Sequence, residues 1–142
     1  ADPTEHVARY RLADLALDTY PYTSGSTGWD TLSAGCPMVT CAGETGFSRA
    51  AASQLIHVGL PDLVTYSLEE YEQLALALAN NPARLAAIRR RLQENLPTAP
   101  LFDAPLFARH LEAAYRAMWQ RFHAGLAPEH IHIAPPDNAH NP

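Results

Sequence analysis

The sequence predicts an α/β fold built on a parallel sheet, three strands of it visible, with flanking helices and a long C-terminal helix. Three observations carry that prediction. Short apolar runs alternate with helical patterns through the first half of the chain, the runs end in turn clusters, and glycine recurs where helical patterns stop. With 142 residues, 47% of them apolar and 18% charged, the chain holds enough material for one domain with a real core.

The elements follow in order. An opening helix covers residues 5–12. Leu15-Ala16-Leu17-Asp18-Thr19 is a buried strand that ends at the turn cluster Tyr20-Pro21-Tyr22-Thr23-Ser24-Gly25. A helix follows from Thr27, with an acid, Asp30, three positions on, and it stops at Gly35. Pro37-Met38-Val39-Thr40-Cys41 is the second strand, residues 42–46 are its loop, and residues 47–58 form a helix closed by Gly59. Leu63-Val64-Thr65-Tyr66 is the third strand. From there the pattern is helical: Ser67-Leu68-Glu69-Glu70 is a capping box, Asn80, Asn81 and Pro82 break the helix it starts, and the next runs toward Leu96 and Pro97. In the last helix, residues 104–124, the residues Phe107, Leu111, Tyr115, Met118 and Phe122 recur at helical spacing as one apolar stripe that needs an apolar partner. Residues 1–126 are therefore expected to form the domain and residues 127–142 an irregular tail. Doubly wound nucleotide-binding sheets usually have five or six strands, so strands upstream of residue 1 are expected.

Composition excludes several classes of function. No apolar run approaches the ~20 residues of a membrane-spanning helix, so no membrane role is expected. The formal net charge is −5, and all ten basic side chains are arginine. This removes a Schiff-base lysine, a Walker-type phosphate lysine and a lysine-rich nucleic-acid face, and no nucleic-acid partner is expected. Cys36 and Cys41 supply neither a disulfide framework nor a zinc site and read as half-buried thiols. The chain opens at Ala1 without initiator methionine or signal stretch, as an internal or trimmed cytoplasmic segment would. His130-Ile131-His132 lacks a carboxylate cluster and implies no metal, His57 reads as a packed core histidine, and Arg89-Arg90-Arg91 as a solvated helix face.

In an open parallel sheet, ligands bind outside the carboxyl ends of the strands, which directs attention to the loops after the first two. The first, Thr23-Ser24-Gly25-Ser26-Thr27-Gly28, runs into a helix N-terminus, where unpaired amides, the positive end of the helix dipole and two hydroxyls can receive a phosphate. The same hydroxyls could simply cap the helix. Asp30 carries the same ambiguity, fitting both a capping-box acid and an acceptor for ribose hydroxyls.

Taken as a set, His6-Val7-Ala8-Arg9, Leu17-Asp18-Thr19, Ser26-Thr27-Gly28-Trp29-Asp30, Ala34-Gly35-Cys36-Pro37-Met38-Val39-Thr40, Gly43-Glu44-Thr45 and Ser48-Arg49-Ala50-Ala51-Ala52-Ser53-Gln54-Leu55 resemble the C-terminal catalytic half of O-GlcNAc transferases, in the same order and with similar gaps. The likeness extends to about residue 128. The SPINDLY-type O-fucosyltransferases share much of it, including Asp18-Thr19 before Pro21-Tyr22 and Ala114-Tyr115-Arg116 before Met118-Trp119. The resemblance implies a Rossmann-like domain, the second half of a GT-B-type glycosyltransferase that moves GlcNAc from UDP-GlcNAc to Ser/Thr hydroxyls of proteins. It further implies an upstream catalytic domain, tetratricopeptide (TPR) repeats that bind protein acceptors, and no metal or cofactor. The alternatives are a GDP-fucose-dependent O-fucosyltransferase and a nucleotide-binding or regulatory module without transfer.

The resemblance also assigns residues. His6 matches the histidine stacked on the uracil and Arg9 the arginine beside it. Ser26 and Thr27 match the hydroxyl pair on the diphosphate, and Asp30 the acid on the ribose, which shifts its reading from capping to ligand binding. Gly25 departs from the pattern, since O-GlcNAc transferases have histidine there. Glu44 and Thr45 match loop residues, although Glu44 could equally pair with Arg49. No catalytic residue is implied within this chain, because the lysine that steadies the leaving diphosphate belongs to the other half.

Overall fold

A computed structural model describes residues 2–134, and the chain divides after Phe102 into two compact units. The first is a three-stranded parallel sheet with helices around it. Its elements are α1 (Pro3–Tyr10), β1 (Ala16–Leu17), α2 (Ser26–Ser33), β2 (Met38–Cys41), α3 (Ala50–His57), β3 (Val64–Thr65), α4 (Leu68–Ala79) and α5 (Pro82–Asn95), with short 3-10 turns before β3 and after α5. The strands lie in the order β1-β2-β3, with Ala16 opposite Met38, Leu17 opposite Val39, Thr40 opposite Val64 and Cys41 opposite Thr65.

The sequence explains this order. β2 is buried at every position, as befits the central strand of a parallel sheet covered on both faces. β1 and β3 are each two residues long with one neighbour among the described residues, and Leu17 on β1 is 61% exposed. Helical crossovers carry the chain from β1 to β2 through α2 and from β2 to β3 through α3, as parallel pairing requires. Leu32 of α2, Val39 of β2, Leu55 of α3, Leu78 of α4 and Leu92 of α5 meet in one core. Cys36 and Cys41 are fully buried rather than half-buried, and burial pushes the Cys36 thiol up from its usual range.

Helix ends follow the punctuation in the sequence with three departures. Gly35, Gly59 and Gly125 take left-handed φ of 79°, 75° and 68°, as helix-terminating glycines do. The Ser67 hydroxyl accepts the Glu70 amide at 3.1 Å, and the Glu70 carboxylate reaches back to the amide of Tyr66 instead of that of Ser67. α2 begins at Ser26 with Gly25 as its N-cap, so Thr27 caps nothing and Asp30 is no capping-box acid. α3 begins at Ala50 rather than at residue 47, because Ser48 accepts the Thr45 amide at 3.0 Å and donates to the Thr45 carbonyl at 2.9 Å, closing a local turn that competes with helix. His57 is exposed on the last turn of α3, its Nδ1 2.7 Å from the Ser53 carbonyl, and is not a core histidine. The arginine run is only partly solvated: Arg89 donates to the carbonyls of Ala13 and Asp14, Arg91 pairs with Asp62, and Arg90 alone of the three is exposed.

The second unit is α6 (Ala104–His123), capped by the Asp103 carboxylate on the Leu106 amide at 2.8 Å, and the segment after it. Past Gly125 the chain turns back, with Arg121 donating to the Ala127 carbonyl and pairing with Glu129. Residues 127–134 have no regular secondary structure, and the remainder of the expected tail, 135–142, lies outside the described residues. Phe107, Tyr115, Met118 and Phe122 are exposed along the helix.

Leu55→Ala removes a fully buried side chain from the centre of the first unit. Chemical denaturation should show a loss of about 2–5 kcal/mol, and an unchanged midpoint would contradict this placement of the core.

Candidate functional site

The first loop is held by one carboxylate. Asp18 sits at the carboxyl end of β1, where its Oδ1 accepts the Ser24 amide at 2.9 Å and its Oδ2 accepts the Thr40 hydroxyl at 2.6 Å. Its own carbonyl accepts the Tyr71 phenol at 2.8 Å. The side chain thus pins the end of the loop to β1 and β2, while its backbone ties β1 to α4. Thr23 then links the first loop to the second: its amide and hydroxyl both donate to the Phe47 carbonyl, at 3.2 and 2.7 Å. Outside that link the rings of Tyr22 and Phe47 stack 5.2 Å apart, 17° from parallel.

Between the loop and α2 lies a cleft of about 480 Å³, lined by Asp18, Tyr22, Ser24, Gly25, Ser26 and Thr27, with Met38 at its floor and Tyr10 at its edge. α2 enters it with an unmodified N-terminus. Its N-cap is a glycine and no side chain caps it, so the amides of the first turn lack intrahelical acceptors and the hydroxyls of Ser26 and Thr27 are exposed. Aligned peptide dipoles put roughly half a positive charge at that end. The first turn is suited to an anion.

One turn further along α2, Asp30 faces α1. Its Oδ2 lies 4.0 Å from Nε2 of His6, and both side chains remain partly open to solvent. His6 also meets Tyr10 edge-on, with ring centroids 5.4 Å apart and the Tyr10 hydroxyl 3.3 Å from Nε2. The His6 imidazole on α1 therefore stands beside the Asp30 carboxylate of α2, one turn from the cleft at the start of α2. An aromatic base, a pair of sugar hydroxyls and a phosphate require groups of these kinds in this sequence.

Of the residues singled out from the sequence, His6, Gly25, Ser26, Thr27 and Asp30 gather here. Arg9 stands apart, its guanidinium 3.8 Å from Glu5 on the same helix and well exposed. Glu44 and Thr45 belong to the second loop and do not line the cleft; Glu44 is exposed and forms no ion pair with Arg49 among the described residues. At Gly25 an added Cβ would meet nothing within 4 Å, so the position is open. Sequence reasoning gave no role to Asp18, Thr23 or Tyr22. An acid directly after an apolar strand and before a turn was the available signal for Asp18. A larger groove of about 830 Å³, lined by Leu12, Leu17, Leu76 and Leu85, has mostly apolar walls and carries none of the predicted residues.

Comparison with known proteins bears on the fold and the family. The model for "Glycosyl transferase family 41" matches residues 1–111. A protein of Hordeum vulgare named "Probable UDP-N-acetylglucosamine--peptide N-acetylglucosaminyltransferase SPINDLY" is 40% identical over 124 residues, 87% of this chain and 13% of the relative. One of Arabidopsis thaliana, "Probable UDP-N-acetylglucosamine--peptide N-acetylglucosaminyltransferase SEC", is 38% identical over 131 residues, 92% of this chain and 13% of its own length. The solved structure of a point mutant of Thermobaculum terrenum O-GlcNAc transferase superposes with a TM-score of 0.79 at 38% identity, covering 84% of this chain and 23% of that one. The chain thus spans about an eighth of the length of these curated relatives.

The Tyr71 phenol is pushed above its usual value of about 10 by burial, with the charges of Asp18 and Cys41 adding to the effect. The folded state therefore holds this proton more tightly than the unfolded one. The contribution is fully present below pH ~10 and is lost as pH rises through the folded pKa. Tyr71→Phe should flatten the fall of stability above pH ~10 relative to the parent and cost about 1 kcal/mol at neutral pH. Denaturation at both pH values checks this, and identical alkaline slopes would refute it.

Proposed function

The chain belongs to glycosyl transferase family 41, and on that premise we propose that it is the donor-nucleotide-binding part of a transferase that moves GlcNAc from UDP-GlcNAc to serine or threonine hydroxyls of proteins. The observation that supports this most is the arrangement of His6 on α1 beside Asp30 of α2, with Ser26, Thr27 and the uncapped first turn of α2 next to a cleft at the end of β1. In this reading the His6 ring stacks on the base and Asp30 accepts the ribose hydroxyls. The first turn of α2, with its two hydroxyls, takes the diphosphate. Arg9 reaches the base by leaving Glu5, an exposed pair whose loss costs little. Gly25 makes a loop contact with the diphosphate, while Glu44 and Thr45, which stand outside the cleft, are given no contact with it.

The division of labour follows from charge. A departing nucleoside diphosphate develops negative charge that must be met in the transition state. The α2 N-terminus supplies about half a charge, no arginine lines the cleft among the described residues, and the chain contains no lysine. The remaining positive charge comes from an upstream catalytic domain, while TPR repeats on the same protein hold the acceptor. In this reading no metal or cofactor takes part, and residues 1–126 act as the donor-binding domain of a cytoplasmic enzyme. No helix among the described residues is long and apolar enough to cross a membrane.

Titration calorimetry of the full-length protein with UDP, GDP and their sugar conjugates tests the assignment. UDP and UDP-GlcNAc should bind, and Asp30→Ala should weaken both about tenfold or more, as the loss of hydrogen bonds to a charged acceptor would. Preference for GDP-fucose would replace the proposed donor, and no binding of any nucleotide would refute the site. Transfer to an acceptor peptide by the full-length protein tests the activity, and binding without turnover would leave a nucleotide-binding module.

A further inference from the structure

The first turn of α2 is held from behind by a side chain to which neither motif nor spacing gave a role. Gln54 lies on α3, between Ala51, Ala52 and Leu55, which are buried in the core. Its Nε2 donates to the carbonyl of Gly25 at 2.8 Å. That carbonyl is the first acceptor of α2, since it also takes the Trp29 amide at 3.1 Å. The orientation of the amide group is fixed by this bond, because turning it over would set two acceptors against each other. Its Oε1 is then buried without a partner. It lies so close to α2 that a Cβ at Gly28 would stand 2.3 Å from it.

A buried amide oxygen left unbonded is unfavourable, and an apolar side chain of similar shape would avoid the cost. The part of Gln54 that has a partner is the donor, and it acts on the carbonyl of the N-cap residue. Resting on the reading of α2 as the diphosphate-binding turn, we infer that Gln54 is a positioning residue for that turn. It fixes the Gly25 peptide, and with it the direction of the adjoining amides, from a helix anchored in the core. Gly28 is glycine so that α2 can approach closely enough for this bond to form. Asp18 holds the loop that leads to Gly25 from the strand side through Ser24, and Gln54 holds the start of the helix from the α3 side. The pair leaves little freedom for the peptide between them.

The experiment uses the full-length protein with three probes: uridine, UDP and inorganic pyrophosphate. Gln54→Met keeps the volume, removes the donor and removes the unsatisfied oxygen, so its thermal midpoint should equal or exceed that of the parent. Its affinity for UDP and pyrophosphate should fall about tenfold, the size of one neutral hydrogen bond, while its affinity for uridine stays the same. Gly28→Ala should show the same loss on UDP, and the double variant should be no weaker than either single one, because both act through one contact. Unchanged UDP and pyrophosphate affinity in Gln54→Met would overturn the inference. So would an equal loss for uridine, which would make Gln54 a general support of the fold. Failure of the parent protein to bind any of the three would instead overturn the reading of the site, and this inference with it.

Discussion

The cleft depends on the carboxylate of Asp18. Four groups of this one residue are engaged: its amide donates to Val39, its carbonyl accepts from Tyr71, and its two carboxylate oxygens accept from Ser24 and Thr40. Hydrogen bonds to a charged acceptor contribute about 1.5–3 kcal/mol each, a large share of the ~5–15 kcal/mol by which a domain is stable. The bonds join β1, β2, α4 and the first loop where that loop leaves the carboxyl end of β1. Because both oxygens are satisfied, an acid can line a cleft proposed to take an anion. Its lone pairs are turned toward Ser24 and Thr40, and the α2 amides face the open space.

The same constraint explains why part of the site was legible in the sequence and part was not. β2 could be read directly: an apolar run between Gly35 and Gly43 has to be a strand buried on both faces. The helix ends at Gly35, Gly59 and Gly125 followed from a local rule, and so did the cap at Ser67. The start of α2 did not follow. Thr27 and Asp30 have the spacing of a capping box, yet the helix starts at Ser26, since the bond from the Ser24 amide to Asp18 and the bond from Gln54 to the Gly25 carbonyl decide where the first turn lies. The Gln54 contact spans 29 residues of sequence and no local pattern encodes it, while Asp18 and Ser24 are six residues apart, joined across a turn that helix spacing does not read. This shift has a functional consequence. With Gly25 as N-cap, neither the Thr27 hydroxyl nor the Asp30 carboxylate is used as a cap by the helix, which is what the proposed nucleotide contacts need.

His57 and the arginine run failed for a related reason. Helical spacing tells which residues share a face, but not how far a core extends. Three buried positions on α3, at Ala51, Ala52 and Leu55, leave His57 just outside the buried strip. Arg89 and Arg91 were read as solvated because the run is charged, whereas a long side chain can cross a surface and satisfy carbonyls or an acid on another element. Arg89 does this for the carbonyls of Ala13 and Asp14, where the chain turns from α1 into β1, and Arg91 does it for Asp62 ahead of β3.

These commitments determine what the cleft can do. Of the arginines in the first unit, Arg89 and Arg91 hold the fold and Arg9 is paired with Glu5. Apart from the Asp18 carboxylate, whose two oxygens are already bonded to Ser24 and Thr40, what faces the cleft is neutral: amides, hydroxyls and the phenols of Tyr10 and Tyr22. Neutral donors recognise a phosphate by direction more than by charge, so their arrangement matters more than their number. A cleft furnished this way can hold and orient a nucleotide diphosphate, but it has little with which to meet the charge of a departing one. On the proposed reading, recognition and departure fall to different parts of the protein, and the rigidity that Asp18 and Gln54 impose on the peptides between Ser24 and Ser26 is what this part contributes.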